Sequence, residues 1–265
     1  MTLKSAIELL KKAKVDSPEY DARELFRLFI PSPMLNSRCD DPELVNMIER
    51  RANREPLQYI IGEVGFYREV YRVTPDCLIP RSDTETLVDY AVKNLPYGAR
   101  FLDLCTGSGC VAISTLCNTR DTSAVAVDIS EKTLDVAREN ADKNGVTDRI
   151  EFINCDALSH EVDGRFHAIL SNPPYVADQV YESLESEIFH EPRIAFVGGI
   201  DGGDFYRRLT PMYKDKIESD GFIAYEIGYD QGELLKKVAK DCEMSCEIIK
   251  DLSGNDRVAV LRPQK

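Results

Sequence analysis

From Arg100 to Leu261, short apolar runs alternate with helix-patterned segments, and no other feature of the sequence restricts the fold as strongly. Phe101–Cys105, Ala124–Val127, Ile150–Ile153, Phe166–Leu170 and Phe222–Ile227 are short, apolar and rich in branched or aromatic side chains, the signature of buried strands. Between them, Cys110 to Leu116 forms a small-residue helix. Ser130 caps another, with Leu134, Ala137 and Ala141 on its inner face and Gly145 at its end. Strands that are apolar throughout and separated by helices pack as a parallel sheet covered on both faces. Cys246–Ile249 and Val258–Leu261 flank a turn at residues 253–256, which predicts an antiparallel edge hairpin.

The first part of the chain reads differently. Leu3, Ile7 and Leu10 share a helical face, Ser17-Pro18 and Asp41-Pro42 are start signals, and two apolar stripes follow: Ala22, Leu25, Phe26, Phe29, then Leu44, Met47, Ile48, Ala52. Residues 56–80 hold β-prone pieces at Gln58–Ile61, Gly65–Tyr67 and Val70–Val73, separated by glycine and charge. The expected organisation is therefore a helical bundle over 1–55, a β-hairpin linker over 56–80 and an α/β domain over 81–265.

Charge narrows the partners. Almost all of the net charge of -13 lies beyond residue 80, and neither part carries a basic stripe that could neutralise phosphates, so direct nucleic-acid binding is disfavoured. Several of the eight cysteines sit inside apolar patterns, no CxxC pair occurs, and the three histidines do not pair with cysteine at zinc spacing. A reduced, cytoplasmic, metal-free monomer is the default expectation. The amphipathic first residues lack the apolar core of a signal peptide, and no apolar run is long enough to span a bilayer.

Two motifs carry chemistry. Asp103-Leu104-Cys105-Thr106-Gly107-Ser108-Gly109 lies between a strand and a helix, where a nucleotide-like ligand needs a tight turn with little side-chain bulk. Asp128 ends the next strand, where a carboxylate can accept from ribose hydroxyls. No third glycine follows Gly109, so a pyrophosphate has no cradle and a single adenosyl unit with an amino-acid tail suits the turn better. Asp156, after the third strand, could hold an adenine amino group with Ala157 beside the ring; a turn cap is the equally available reading.

The second motif is Ser171-Asn172-Pro173-Pro174-Tyr175 after the fourth strand. Consecutive prolines fix φ and remove two N–H groups, leaving the Asn172 side-chain oxygen and the Pro173 carbonyl as acceptors on a stiff loop. A conjugated NH2 group can donate to both, and Tyr175 can lie against its flat face. Asn172, Pro173 and Tyr175 are thus the expected catalytic residues, with Pro174 completing the substrate contact. A glutamine amide and an amino-adenine both present such a group. A non-catalytic protein that keeps the fold as a docking surface is the third alternative.

The chain resembles the adenosylmethionine-dependent methyltransferases and, within them, the bacterial release factor N5-glutamine methyltransferase family (PrmC/HemK type). The resemblance runs through Arg54–Ile60, Leu78–Arg81, Asp103–Gly109, Val127–Ser130, Ser171–Tyr175, Glu191–Arg193, Asp204–Arg207 and Glu226–Gly232. It implies a Rossmann-like seven-stranded methyltransferase sheet, a helical N-terminal docking domain and a linking hairpin. It implies S-adenosylmethionine as cofactor, S-adenosylhomocysteine as product, and the glutamine of a Gly-Gly-Gln loop in peptide chain release factors as substrate. Cys105, Thr106, Gly107, Ser108, Gly109, Asp128, Asp156, Ala157 and Asn172 would contact the cofactor, and Asn172–Tyr175 the glutamine amide. Two departures stand out: the family's glycine is Cys105 here, and its Arg-Pro-Glu-Thr-Glu reads Arg81-Ser82-Asp83-Thr84-Glu85.

Overall fold

The computed structural model describes residues 1–264. Two units emerge, one of residues 1–63 with 185–190, the other of residues 64–184 with the chain from 191 onward.

The first unit is helical: α1 (Leu3–Lys12), α2 (Pro18–Arg27), α3 (Pro42–Ala52) and α4 (Leu57–Ile61). Thr2 and Ser5 cap α1 reciprocally and Asp41 caps α3, while Ser17 precedes α2 without a side-chain cap bond. Leu3, Leu10, Leu25, Phe26, Leu44 and Ile48 are fully buried in its core. Within it, Arg51 pairs with buried Asp21 at 2.6 Å and with Glu187 at 2.9 Å. Arg51 also donates to the Glu55 carbonyl, so the buried charges do not lack partners.

One expectation fails here. Gln58–Ile61, read as strand, is the helix α4. Pro56 starts it, Gly62 ends it at φ +88° with its N–H on the Gln58 carbonyl, and Leu57 and Ile60 fill the helical core. Spacing of the buried pair, three apart, overrides the β preference of Tyr59 and Ile60.

The chain passes into the second unit within β1 (Glu63–Phe66), which forms the expected hairpin with β2 (Glu69–Arg72). A seven-stranded sheet follows, built from β3 (Arg100–Leu104), β4 (Ser123–Asp128), β5 (Ile150–Asn154), β6 (Phe166–Ser171), β7 (Ile217–Glu226), β8 (Met244–Lys250) and β9 (Asp256–Pro263). The strand order is β5-β4-β3-β6-β7-β9-β8. The first five strands run parallel; β9 inserts antiparallel between β7 and β8, so of the final hairpin only β8 is an edge strand, opposite β5 at the other edge. The sheet is mixed rather than parallel because the final hairpin lays its second strand, fully buried at Val258, Ala259 and Leu261, against β7.

Side chains alternate across the sheet as strand geometry requires. Phe101, Ala168 and Leu170 face a core with α5 (Glu85–Asn94), α6 (Cys110–Cys117) and residues of α7 (Glu131–Lys143). Leu102, Leu104 and Ile169 face a second core with α9 (Asp204–Tyr213) and α10 (Gly232–Asp241). A short α8 (Asp178–Tyr181) lies in the loop after β6. All eight cysteines are thiols.

Candidate active site

Strand order reverses at β3: the chain steps outward from it to β4 and β5 on one side, then returns to β6 and β7 on the other. Ligands of open α/β sheets bind at such a point, beyond the carboxyl ends of the strands. A cavity of about 420 Å³ opens there, lined by residues from the β3, β4, β5 and β6 ends together with the 75–81 segment.

The turn after β3 is built from left-handed residues: Cys105 at φ +60°, Gly107 at +57° and Gly109 at +82°. At Gly109 space also matters, since a Cβ would lie 2.7 Å from Ile113 Cδ1 and 3.3 Å from Ala137 Cβ. Asp103 holds the turn from beneath: its Oδ2 accepts from Thr106 Oγ1 at 2.6 Å and from the Ala112 N–H at 3.2 Å. Burial pushes the Asp103 carboxyl up to about 7. Asn140 of α7 donates to the Ser108 carbonyl and pairs with both backbone groups of Arg72, fixing the turn to the hairpin.

Asp128 sits at the end of β4. Its Oδ2 accepts the Gly107 N–H at 2.9 Å and its Oδ1 the Ser130 N–H at 3.0 Å. Burial raises its pKa, and these backbone donors offset part of the rise. Each oxygen keeps a lone pair for a ligand hydroxyl. Asp156 spends its carboxylate on its own turn, accepting from Leu158 N and Ser159 Oγ at 2.9 Å each, yet it lines the cavity beside Ala157.

Asn172 reaches the same cavity from the end of β6, with Pro174. Its Nδ2 donates to Thr84 Oγ1 at 3.1 Å. The Tyr175 hydroxyl donates to Glu226 Oε1 at 3.1 Å, and burial beside that carboxylate raises the phenol's pKa. Cys105, Thr106, Gly107, Ser108, Asp128, Asp156, Ala157 and Asn172 therefore converge on one cavity. Gly109, Pro173 and Tyr175 are not among the residues that line it.

Sequence reasoning missed the supports of this loop. Gly198 lies so close that a Cβ would fall 2.4 Å from the Pro174 carbonyl oxygen; at Gly202 the Tyr175 oxygen would be 2.1 Å away. Gln231 Nε2 donates to the Tyr175 carbonyl at 3.0 Å, and Val176 exchanges hydrogen bonds with Phe196 and Gly198. The cluster Gly198-Gly199 and Gly202-Gly203 was the available signal, since backbone approach is a physical reason to need glycine. Glu191 was another: it accepts the Ile79 N–H at 2.9 Å and pairs with Arg81, latching the segment that walls the cavity.

Among known proteins, residues 83–197 match the methyltransferase small domain family. The release factor glutamine methyltransferase of Caulobacter vibrioides is 34% identical over 97% of this chain and 93% of its own length. The chain belongs to the release factor glutamine methyltransferase family. The family's protein from Geobacter sulfurreducens is 36% identical over 80% of this chain and 75% of its own length. Two solved structures share the fold. A methyltransferase from Pyrococcus furiosus covers 73% of this chain and 89% of its own (TM-score 0.54, 19% identity). The ribosomal protein L11 methylase of Lactobacillus delbrueckii subsp. bulgaricus covers 70% and 81% (TM-score 0.51, 20% identity). In this family member, no helix among the described residues is long and apolar enough to cross a membrane.

Proposed function

We propose that this chain transfers a methyl group from S-adenosylmethionine to the side-chain amide nitrogen of the glutamine in the Gly-Gly-Gln motif of peptide chain release factors. The observation that carries the reading is the direction of Asn172. Its NH2 donates to Thr84, no described group donates to its Oδ1, and the residue lines the cavity that also holds the Asp128 turn.

The residues fit an adenosyl group. The carboxylate of Asp128 has lone pairs for two ribose hydroxyls, Ala157 offers a flat apolar contact beside Asp156 for the base, and the turn over 105–109 admits close backbone approach. When bound, the cofactor supplies an electrophilic methyl on a sulfonium, a good leaving group. The protein's own task is orientation. An amide nitrogen is a poor nucleophile because its lone pair is delocalised. Asn172 Oδ1 and the Pro173 carbonyl accept hydrogen bonds from its two N–H groups, which turns the lone pair toward the methyl donor, and one of those protons leaves to solvent once the nitrogen carries the methyl. Pro173 and Pro174 keep the loop stiff, so little ordering is left for the moment of reaction. Tyr175, fixed by Glu226, backs the loop, and closure around the amide excludes water. The helical unit, residues 1–63 with 185–190, is proposed to capture the intact release factor.

Incubation with methyl-labelled cofactor and, in parallel, release factor, DNA and RNA tests the proposal. Label in release factor alone is expected. Label in nucleic acid but not in release factor would favour the amino-adenine alternative and overturn the reading.

A further inference from the structure

One side chain outside the cavity commits its whole carboxamide to the loop that carries the substrate contacts. Gln231 is 9% exposed and is not among the cavity-lining residues. It stands at the N-cap of α10, a place where Ser, Thr, Asp or Asn usually serves, and makes no side-chain cap bond to that helix. Its Nε2 donates instead to the Tyr175 carbonyl at 3.0 Å and to the Gly202 carbonyl at 3.4 Å. Its Oε1 accepts the Gly228 N–H at 2.9 Å and the Tyr206 hydroxyl at 3.2 Å, a proton that Tyr206 shares with the Glu226 carbonyl. These partners admit one orientation. A flipped carboxamide would set its NH2 against the Gly228 N–H and its oxygen against two carbonyls.

The two bonds from Nε2 join the sides of a clamp. Tyr175 ends the Asn-Pro-Pro-Tyr loop, and Gly202 belongs to the loop over 197–204 that lies against it. Val176, the next residue, pairs with Phe196 and Gly198, and Gln231 holds the same supporting loop at Gly202. Between the Pro173 and Tyr175 carbonyls the chain rotates only around ψ of Pro174 and around φ and ψ of Tyr175, because the proline ring locks φ of Pro174. Pinning the Tyr175 carbonyl therefore restricts where the Pro173 carbonyl can point.

We propose that Gln231 is a positioning residue: it fixes the Tyr175 peptide and, through it, the direction of the Pro173 carbonyl that accepts from the substrate amide. The inference rests on the reading of that carbonyl as the second acceptor. Asn172 is held separately, by Thr84, so the two acceptors have independent anchors on either side of the prolines.

The test has two parts, both on the full chain. Tyr175-Val176 is the only Tyr-Val step in the sequence, so labelling with carbonyl-13C tyrosine and 15N valine reports this one peptide group by NMR, without substrate. Gln231→Met, which has no donor, is expected to move the Tyr175 carbonyl resonance upfield; an unmoved resonance overturns the inference whatever the substrate is. In the second part, Gln231→Met lowers kcat for release factor by about 10-fold or more and leaves adenosylhomocysteine affinity within about 2-fold. Wild-type kcat in this variant overturns the inference. Gln231→Glu keeps the shape and the acceptor, but its carboxyl donates to the Tyr175 carbonyl only when protonated. Its kcat relative to wild type therefore rises as pH falls, a rescue that loss of packing alone would not give. Should Gln231→Met fold poorly, Gln231→Glu decides: a ratio that does not rise toward low pH overturns the inference. Absence of wild-type methyl transfer to release factor would instead count against the functional reading, with the carbonyl resonance still deciding whether Gln231 holds the loop.

Discussion

Asn172 donates its carboxamide NH2 to the hydroxyl of Thr84 across 3.1 Å, 88 residues away in sequence. That single bond decides which end of the carboxamide meets a ligand. Asn172→Ala removes the acceptor while the turn and Asp128 keep their own hydrogen bonds. Methyl transfer should fall by about 100-fold or more, the scale of losing one preorganised polar contact in the transition state. Calorimetry should show adenosylhomocysteine binding within about 3-fold of wild type. Wild-type turnover in this variant would remove Asn172 from the mechanism.

Asp128 should act at the other step. Both of its oxygens are held by backbone N–H groups of the turn it faces, so its loss removes ligand contacts and loosens Gly107 together. Hydrogen bonds to a charged group contribute about 1.5–3 kcal/mol, so Asp128→Ala should weaken adenosylhomocysteine about 10- to 100-fold. An unchanged dissociation constant would place the ribose elsewhere.

Cys105 occupies a left-handed conformation, φ +60°, at which a side chain costs about 1–2 kcal/mol. Glycine removes that cost but loses about 0.5–1 kcal/mol in chain entropy. The difference favours Cys105→Gly by up to about 1.5 kcal/mol, a rise of at most about 3–6 °C in Tm. Cys105→Val, β-branched at the same φ, should lower Tm and weaken cofactor binding. A valine variant as stable as wild type would show that the turn does not need this conformation.

Glycines 198 and 202 allow the loop over 197–204 to lie against Pro174 and Tyr175. An added methyl must displace backbone rather than a flexible side chain, so Gly198→Ala and Gly202→Ala should each reduce kcat by about 10-fold or more. Neither glycine lines the cavity, and adenosylhomocysteine affinity should hold within about 3-fold. Kinetics and calorimetry on the same preparations would separate the two effects.

Asp103 links the site to stability. Burial holds its carboxyl up at about 7 against an ordinary 3.8. Between about pH 4 and about pH 7 the folded chain keeps a proton that the unfolded chain has released, so this group's contribution is full below that window and is lost as pH rises through it. Asp103→Asn removes the titration. Urea midpoints of wild type minus variant should fall between about pH 4 and about pH 7 and level off above, and a constant difference would contradict the raised pKa.

The strands were legible because each is a nearly continuous apolar run: Phe101 and Leu102 serve opposite cores, so both had to be apolar. The cavity's chemistry was legible for a related reason. Gly107, Asp128 and Asn172 lie at strand ends, where position along the chain translates into position in the fold. Thr84 and Glu226 were not, because their meaning is a contact across 51 to 88 residues that no local pattern encodes. Residues 58–61 misled for the opposite reason: their local preference is for strand, and only packing in the helical core makes them a helix.

The proposed transfer requires the methyl to land on one flat amide held by Asn172. Tandem mass spectrometry of a release factor treated with the enzyme and S-adenosylmethionine addresses it directly. One added methyl on the Gly-Gly-Gln glutamine is expected with wild-type enzyme and almost none with Asn172→Ala. A methyl on any other residue, or the same yield from both enzymes, would contradict it.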